Sequence, residues 1–165
     1  MPDKYPTTKD FLLVIKPFAM VVETNCGIPW LMTGTQAAHE SRNGNSLLTV
    51  QANNLFGMTG DSWQKAGKPV YVIQTKEFNA EKVPYFVSRP FRKYASWTEA
   101  LADWQMHILT MYKPAFICAH DGDANGFFDA LQAGGYATDP QYAEQLKERY
   151  MEIAALFPDE GTATV

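Results

Sequence analysis

Two short segments rich in β-branched and aromatic residues, at positions 70–75 and 85–87, interrupt a chain whose other apolar residues recur every three to four positions. The first pattern is typical of strands and the second of amphipathic helices. A polar, glycine-rich stretch at 57–68 precedes the first strand. The sequence therefore predicts an α+β fold that is mainly helical and has one hairpin-like insertion.

Local signals place the predicted helices. Thr7 or Thr8 can cap a first helix that carries Asp10 in its first turn, is kinked at Pro17 and ends at Gly27. Further helices are predicted from 29 to about 41, from 96 to 111, from 127 to 133 and from 139 to 157. Residues 42–45 read as a turn, and the tail from 158 to 165 is expected to fray.

The composition limits the classes of function. A chain of 165 residues with 46% hydrophobic residues suits a single domain, 1–165, with a real core. Its net charge of −4 argues against nucleic acid or an anionic membrane surface as the partner. The apolar run at 11–22 is too short to span a bilayer and lacks the features of a signal peptide, so we expect export by other machinery.

Two carboxylates stand out by their context. Glu40 closes the second predicted helix just before a turn, and Glu77 follows the strand that is predicted to end at Thr75, at the lip of the β region. Two such acids flank a glycosidic bond when one protonates the leaving oxygen and the other helps to form or stabilise the oxocarbenium-like centre. Most glutamates are solvated surface groups, so the pair alone is a weak signal.

The surrounding motifs strengthen that signal. They run in order along residues 10–156 and read Gln36-Ala-Ala-His-Glu-Ser41, Asn53-Asn-Leu-Phe-Gly57, Thr75-Lys-Glu77, Phe91-Arg-Lys-Tyr94 and Gly135-Tyr-Ala-Thr-Asp-Pro140 followed by Tyr142-Ala143. The set resembles the glucosaminidase family of peptidoglycan hydrolases, family 73 of the glycoside hydrolases, which includes the flagellar-rod hydrolase domain and many autolysins.

That resemblance implies a lysozyme-like fold in which a small β-hairpin lobe stands beside the cleft. It also implies cleavage of the β-1,4 bond between N-acetylglucosamine and N-acetylmuramic acid. Glu40 would be the catalytic acid, Glu77 the second carboxylate and Tyr136 an active-site tyrosine. The role of Glu77, as base, stabiliser or helper of a substrate-assisted mechanism, stays open.

Four further residues are candidates for binding the glycan: Gln36, Asn53, Asn54 and Phe56. Short amide side chains can hold sugar hydroxyls, but they can equally cap a turn. For Phe56 the role of a core anchor is the favoured interpretation. The alternation of Phe91, Arg92 and Tyr94 predicts a strand with the arginine outward and the aromatic rings inward.

No metal site is predicted. Asp121, Asp123 and Asn125 match the first half of a calcium loop, but Gln132 stands where a bidentate glutamate belongs, which favours a turn and helix cap. The spacing of Cys26 and Cys118 matches neither a zinc site nor a redox pair, and a disulfide between them stays open.

Several alternatives remain at this stage. A muramidase or lytic transglycosylase could share the fold, and a non-catalytic wall-binding module could keep the cleft. The setting could be an antibacterial effector injected into the periplasm of rival cells, with a cognate immunity protein as partner, or a phage lysin. We expect action at the cell wall on peptidoglycan strands.

Overall fold

The computed structural model describes residues 3–78 and 84–159. In that part of the chain, the fold consists of eight helices and one antiparallel strand pair. Their bounds are α1 Thr8–Cys26, α2 Trp30–Glu40, α3 Leu47–Ala52, α4 Asp61–Lys65, β1 Val70–Phe78, β2 Pro84–Arg92, α5 Trp97–Met111, α6 Lys113–His120, α7 Ala124–Ala133 and α8 Tyr142–Leu156. The predicted mainly helical α+β fold is confirmed.

The first helix begins and ends where the sequence predicts. The Thr7 hydroxyl accepts a hydrogen bond from the Asp10 amide at 3.1 Å, and the Asp10 carboxylate accepts one from the Thr7 amide at 3.1 Å. This reciprocal pair satisfies two amides that a helix N-terminus otherwise leaves free. Gly27 ends α1 in the left-handed region, and Pro17 lies inside the helix.

Helix α2 is the centre of the molecule, because every residue from 30 to 38 is buried. A helix that is apolar or small on all its faces can be covered on all sides. Gly34 allows close packing: a β-carbon there would lie 3.2 Å from Leu12 of α1. The buried Thr35 hydroxyl donates to the Leu31 carbonyl at 2.7 Å, so its polar atom has a partner. The last residue of this central helix is Glu40.

The hairpin is longer than the sequence predicts. Strand β1 runs to Phe78 and pairs with β2 in an antiparallel register that sets Val70 opposite Arg92 and Glu77 opposite Tyr85. The prediction that Glu77 follows the strand is therefore wrong, since Glu77 lies within β1. Cross-strand hydrogen bonding extends the ladder through residues whose own strand propensity is low.

Three helices were not predicted: α3, α4 and α6. Two of them are only five or six residues long, too short for an apolar period to be recognised. The third, α6, starts with a proline in its first turn, a position that a helix accepts because the missing N–H would have no partner there. Helix α7 begins three residues before the predicted helix at 127–133.

Aromatic packing joins the helices to the loop that follows α3. The Phe56 ring stacks on Trp104 of α5 with centroids 4.9 Å apart, and both side chains are buried. Cys26 and Cys118 are free thiols. None of the helices in residues 3–78 and 84–159 is both long and apolar enough to cross a bilayer. The tail from 158 to 165 is expected to fray, and its residues 160–165 lie outside the described part of the chain.

Candidate active site

Glu40 lies at the point where the central helix gives way to a tight turn. The next residue, Ser41, is buried, and its hydroxyl accepts a hydrogen bond from the Gly44 amide at 2.7 Å. Arg42 and Asn43 both adopt positive φ, at 53° and 55°, which is uncommon for residues other than glycine. The chain therefore turns away directly after Glu40 and leaves its side chain at the end of α2, where it is half-buried.

A side chain from the last helix holds this turn. Arg149 of α8 donates to the Asn43 side-chain oxygen and, at 3.4 Å, to the Ala38 carbonyl. The Asn43 amide group in turn donates to Thr8 at the start of α1, at 3.2 Å. Three separate helices thus fix the backbone beside Glu40, which stabilises two left-handed residues that would otherwise be strained.

One carboxylate oxygen of Glu40 has a defined partner. The Tyr142 hydroxyl, at the first residue of α8, donates to Glu40 Oε1 at 2.6 Å. The same hydroxyl accepts a hydrogen bond from Gln36 Nε2 at 3.1 Å. Gln36 and Glu40 are one helical turn apart on α2, so both face the tyrosine.

The environment of Glu40 favours its protonated form. Burial raises the pKa of the Glu40 carboxyl above its ordinary value, and the hydrogen bond from Tyr142 opposes that rise. Burial, followed by the nearby Glu40 charge, raises the pKa of Tyr142 far above its ordinary range. The phenol therefore stays neutral and keeps its proton. A raised pKa suits a carboxyl group that acts as a proton donor.

Tyr136 lies beside this pair on the loop after α7. Its ring stacks on the ring of Tyr142 with centroids 5.9 Å apart and 14° between the planes. Its hydroxyl is buried beside the Trp104 indole and makes no hydrogen bond of good geometry among the described residues. Burial, then the charge of Glu40, raises the pKa of Tyr136 well above its ordinary value, so this phenol is also neutral.

A pocket of about 210 Å³ opens next to Tyr136. The predicted glycan-binding residue Phe56 forms part of its wall, together with Gly57, Met58, Thr59, Arg92, His107 and Tyr112. Burial, then the Arg92 charge, lowers the pKa of His107, so this imidazole is neutral at pH 7. The pocket thus combines aromatic faces with polar edges, as carbohydrate sites require.

The two asparagines have different surroundings. Asn54 is 1% exposed. Its Nδ2 donates to the Met58 carbonyl and to the Arg92 carbonyl, each at 2.9 Å, and its Oδ1 accepts a hydrogen bond from the Met58 amide at 2.9 Å. It therefore holds the loop that forms the pocket wall and presents almost no surface to a ligand. Asn53 is half-buried, ends α3 at a φ of 52° and donates to the Tyr94 carbonyl at 3.0 Å. It lines a separate small pocket.

Of the predicted site residues, the structure thus brings together Gln36, Glu40 and Tyr136, and it places Phe56 in the wall of the pocket that Tyr136 also lines. Gln36 is fully buried and reaches the site through Tyr142. The side chain of Glu77 lies outside the described residues; its backbone is in β1. Substrate contact by any of these residues stays a prediction.

Arg92 does not point outward as the alternation predicts. Its side chain is 18% exposed, donates to Asp103 of α5 at 2.5 Å and donates to the Thr59 carbonyl at 3.1 Å. The Tyr94 hydroxyl donates to the same Asp103 oxygen at 2.6 Å. The prediction of an outward side chain is wrong because Asp103 of α5, which is 25% exposed, pairs with the arginine, and strand alternation cannot indicate a partner on another element.

The sequence does not assign Tyr142 to the site, although Tyr142 belongs to the last of the family motifs. Its contact with Glu40 joins residues 102 positions apart, and only the fold brings them together. His39 precedes Glu40 on α2 and lies beside Tyr142. The two rings make a T-shaped contact with centroids 5.7 Å apart, and burial, then Arg149, lowers the pKa of His39.

No cluster of three or more potential metal ligands occurs in the described residues. Asp123 caps α7 by accepting a hydrogen bond from the Gly126 amide at 2.8 Å, as the preferred interpretation of that segment expects. Asp121 and Asn125 are exposed beside it. Calcium binding at this turn is untested, and the absence of a cofactor stays a prediction.

Comparisons with known proteins agree with this geometry. A family model described as mannosyl-glycoprotein endo-β-N-acetylglucosaminidase matches residues 16–154. The peptidoglycan hydrolase FlgJ of Vibrio cholerae is 30% identical over 147 residues, which are 87% of this chain and 43% of that protein. The chain thus spans less than half the length of this curated relative.

Solved structures give the same result. The glycoside hydrolase domain of Salmonella typhimurium FlgJ superposes with a TM-score of 0.73 at 31% identity, and covers 90% of this chain and 99% of that one. A type VI secretion effector from Pseudomonas protegens, solved as an effector-immunity complex, superposes at 0.60 with 17% identity over 90% and 92% of the two chains, a likeness of fold alone. The expected lysozyme-like fold is confirmed, and the chain belongs to the glucosaminidase family, family 73 of the glycoside hydrolases.

Proposed function

We propose that this chain is a peptidoglycan hydrolase that cleaves the β-1,4 bond between N-acetylglucosamine and N-acetylmuramic acid, with Glu40 as general acid. The observation that carries the proposal is the position of Glu40, half-buried at the end of the central helix, with its pKa raised by burial. The family model and the name of the Vibrio cholerae relative support the glycan and the bond.

In this mechanism Glu40 transfers its proton to the glycosidic oxygen as the bond from that oxygen to the anomeric carbon breaks. Positive charge develops on the sugar ring, and a water molecule supplies the hydroxyl group that ends at the anomeric carbon. The proton released by that water passes to a carboxylate. A raised pKa suits the first step, because the acid must hold its proton near the working pH.

Glu77 is our candidate for the second carboxylate. Its position in β1 puts it on the hairpin, and a pair of acids must lie within about 5–10 Å across the bond to be cleaved. Tyr136 is our candidate for contact with the reacting sugar, because its buried hydroxyl makes no hydrogen bond of good geometry among the described residues and its ring adjoins both Tyr142 and the pocket.

Analysis of the reducing ends released from purified sacculi tests the bond. The proposal predicts fragments that end in N-acetylglucosamine. Fragments that end in N-acetylmuramic acid would assign a muramidase, and 1,6-anhydro ends would assign a lytic transglycosylase. A protein that sediments with sacculi but leaves their turbidity unchanged would be a wall-binding module.

For the setting, we propose delivery into the periplasm of rival bacteria as an antibacterial effector, with an immunity protein that covers the cleft. Only the similarity of fold to the Pseudomonas protegens effector supports this setting, and a phage lysin is the alternative. Two observations together separate these settings: the growth of cells that express the chain with an added periplasmic leader, and the identity of the neighbouring genes. Rescue of growth by the product of an adjacent gene favours an effector, and adjacent holin or tail genes favour a lysin.

A further inference from the structure

Tyr142 is the described residue in hydrogen-bonding contact with the Glu40 carboxyl. We propose that Tyr142, itself held by Gln36, is a positioning residue that makes Glu40 Oε1 a fixed hydrogen-bond acceptor and so leaves Oε2 as the oxygen that carries and delivers the acid proton. This inference rests on the proposed role of Glu40, and it goes beyond that role by assigning the proton to one oxygen.

The direction of the hydrogen bonds follows from the number of protons available. Gln36 Nε2 is a donor only, so the Tyr142 oxygen accepts from it at 3.1 Å. A phenol has a single hydroxyl proton, and Tyr142 donates it in the 2.6 Å hydrogen bond to Glu40 Oε1. Since Oε1 accepts that proton, the proton of the neutral acid resides on Oε2.

Burial makes this arrangement durable. Gln36 is fully buried, and Tyr142 is 3% exposed. The Tyr142 ring stacks on the ring of Tyr136 and makes a T-shaped contact with the ring of His39. Water cannot easily replace a hydrogen bond in such a place, and a carboxyl with one oxygen fixed has lost the freedom to exchange its two oxygens.

The titratable groups near Glu40 come from three parts of the chain. His39 precedes it on α2, Tyr142 and Arg149 come from α8, and Tyr136 comes from the preceding loop. Burial lowers the pKa of His39 and raises the pKa of both phenols, so these three groups are neutral at pH 7. Arg149 is the cation of the set, and its guanidinium binds the turn after Glu40.

The test compares Tyr142→Phe with the matched control Tyr150→Phe. Tyr150 lies two turns further along α8, where its ring packs on Phe128. Two quantities are measured for each variant: the pH profile of kcat/KM on sacculi fragments, and the titration of the Glu40 carboxyl by ¹³C NMR with Glu40→Gln used for assignment.

The proposal predicts that Tyr142→Phe lowers kcat about tenfold, because the lost hydrogen bond stabilises the negative charge that Glu40 develops as it releases its proton. It also predicts that both the alkaline limb and the NMR titration of Glu40 move to higher pH, because the lost bond favoured the carboxylate. Tyr150→Phe should match the wild type. A merely structural role for Tyr142 would lower activity without moving either titration.

An unchanged titration, or a shift to lower pH, would overturn the proposal. The downward shift would mean that Glu40 donates to Tyr142, so that the proton sits on Oε1. If Tyr142→Phe fails to fold, Gln36→Met provides the test. Loss of the hydrogen bond from Gln36 to Tyr142 should weaken the bond from Tyr142 to Glu40, and the titration of Glu40 should then move to higher pH by a smaller amount. Full activity of Glu40→Gln would instead refute the proposed function, while the NMR titration would still test the hydrogen bond.

Discussion

The phenol ring of Tyr136 lies parallel to that of Tyr142, with 5.9 Å between their centroids. Tyr136 therefore packs against the residue that donates a hydrogen bond to Glu40, and its own hydroxyl is buried and makes no hydrogen bond of good geometry in the described part of the chain. A buried hydroxyl without a hydrogen bond lowers the free energy of unfolding by about 1–3 kcal/mol. A protein retains such a group when the group has another use.

Removal of the Tyr136 hydroxyl should separate activity from stability. We predict that Tyr136→Phe lowers kcat on sacculi fragments at least tenfold and leaves the melting temperature unchanged or raises it slightly, because the ring stack survives. Tyr112→Phe, which alters another phenol in the same pocket wall, should have a smaller effect. Wild-type turnover by Tyr136→Phe would remove Tyr136 from the proposed mechanism.

The buried acid should make stability depend on pH. The pKa of Glu40 is raised in the folded chain, so the folded state binds this proton more tightly than the unfolded state does. The stabilisation is present below the ordinary pKa of a glutamate and is lost as the pH rises through the raised value. Urea denaturation should therefore find Glu40→Gln more stable than the wild type at pH 7, with the advantage shrinking at pH 4.

A matched change at an exposed glutamate checks that prediction. Glu148 lies on the surface of α8, and Glu148→Gln should not reproduce the pH-dependent difference. A Glu40→Gln protein that is no more stable than the wild type at pH 7 would contradict the account of the acid, since it would mean that ionisation of Glu40 has no cost in the fold.

The turn after Glu40 depends on Gly44. Its φ is 76°, and a β-carbon there would lie 2.7 Å from the Phe11 ring. We predict that Gly44→Ala lowers the free energy of unfolding by about 3 kcal/mol, from backbone strain and overpacking together. The control is Gly67→Ala, where φ is 70° but nothing lies within 4 Å, and its cost should be about 1 kcal/mol. Equal losses would show that the packing on Phe11 is unimportant.

Asp103 should be more important for stability than the surface ion pairs. It accepts hydrogen bonds from both Arg92 and Tyr94, and Asp103→Ala would leave the mostly buried Arg92 charge without its partner. We predict a loss of about 2–3 kcal/mol in urea denaturation. Asp129→Ala, which removes one of the two exposed carboxylate partners of Lys147, should cost less than about 1 kcal/mol. Similar losses for the two variants would contradict this ranking.

Local chemistry made much of the fold predictable. The capping box at Thr7, the left-handed Gly27 and the capping residue Ser96 are short-range signals, and the structure has α1 and α5 where those signals predict them. The length of the hairpin was not predictable in the same way. Residues such as Glu77 enter β1 because a partner strand is available, and that depends on pairing rather than on local preference.

The same distinction between local sequence signals and tertiary contacts applies to the site. Glu40 could be singled out because helix, acid and turn are adjacent in sequence, and the family motifs supported it. The bonds from Tyr142 to Glu40 and from Arg92 to Asp103 depend on the tertiary arrangement of helices and strands, so no spacing in the sequence indicates them. The sequence leaves open whether Asn54 binds a sugar or caps a turn, and the structure shows its side chain engaged by the backbone of its own loop and of β2.

The most direct test of the central claim is mass spectrometry of the muropeptides that the wild type, Glu40→Gln and Glu148→Gln release from purified sacculi. The account predicts fragments with reducing N-acetylglucosamine ends from the wild type and from Glu148→Gln, and none from a folded Glu40→Gln protein. The same fragments released by Glu40→Gln at the wild-type rate would contradict the assignment of Glu40 as the general acid.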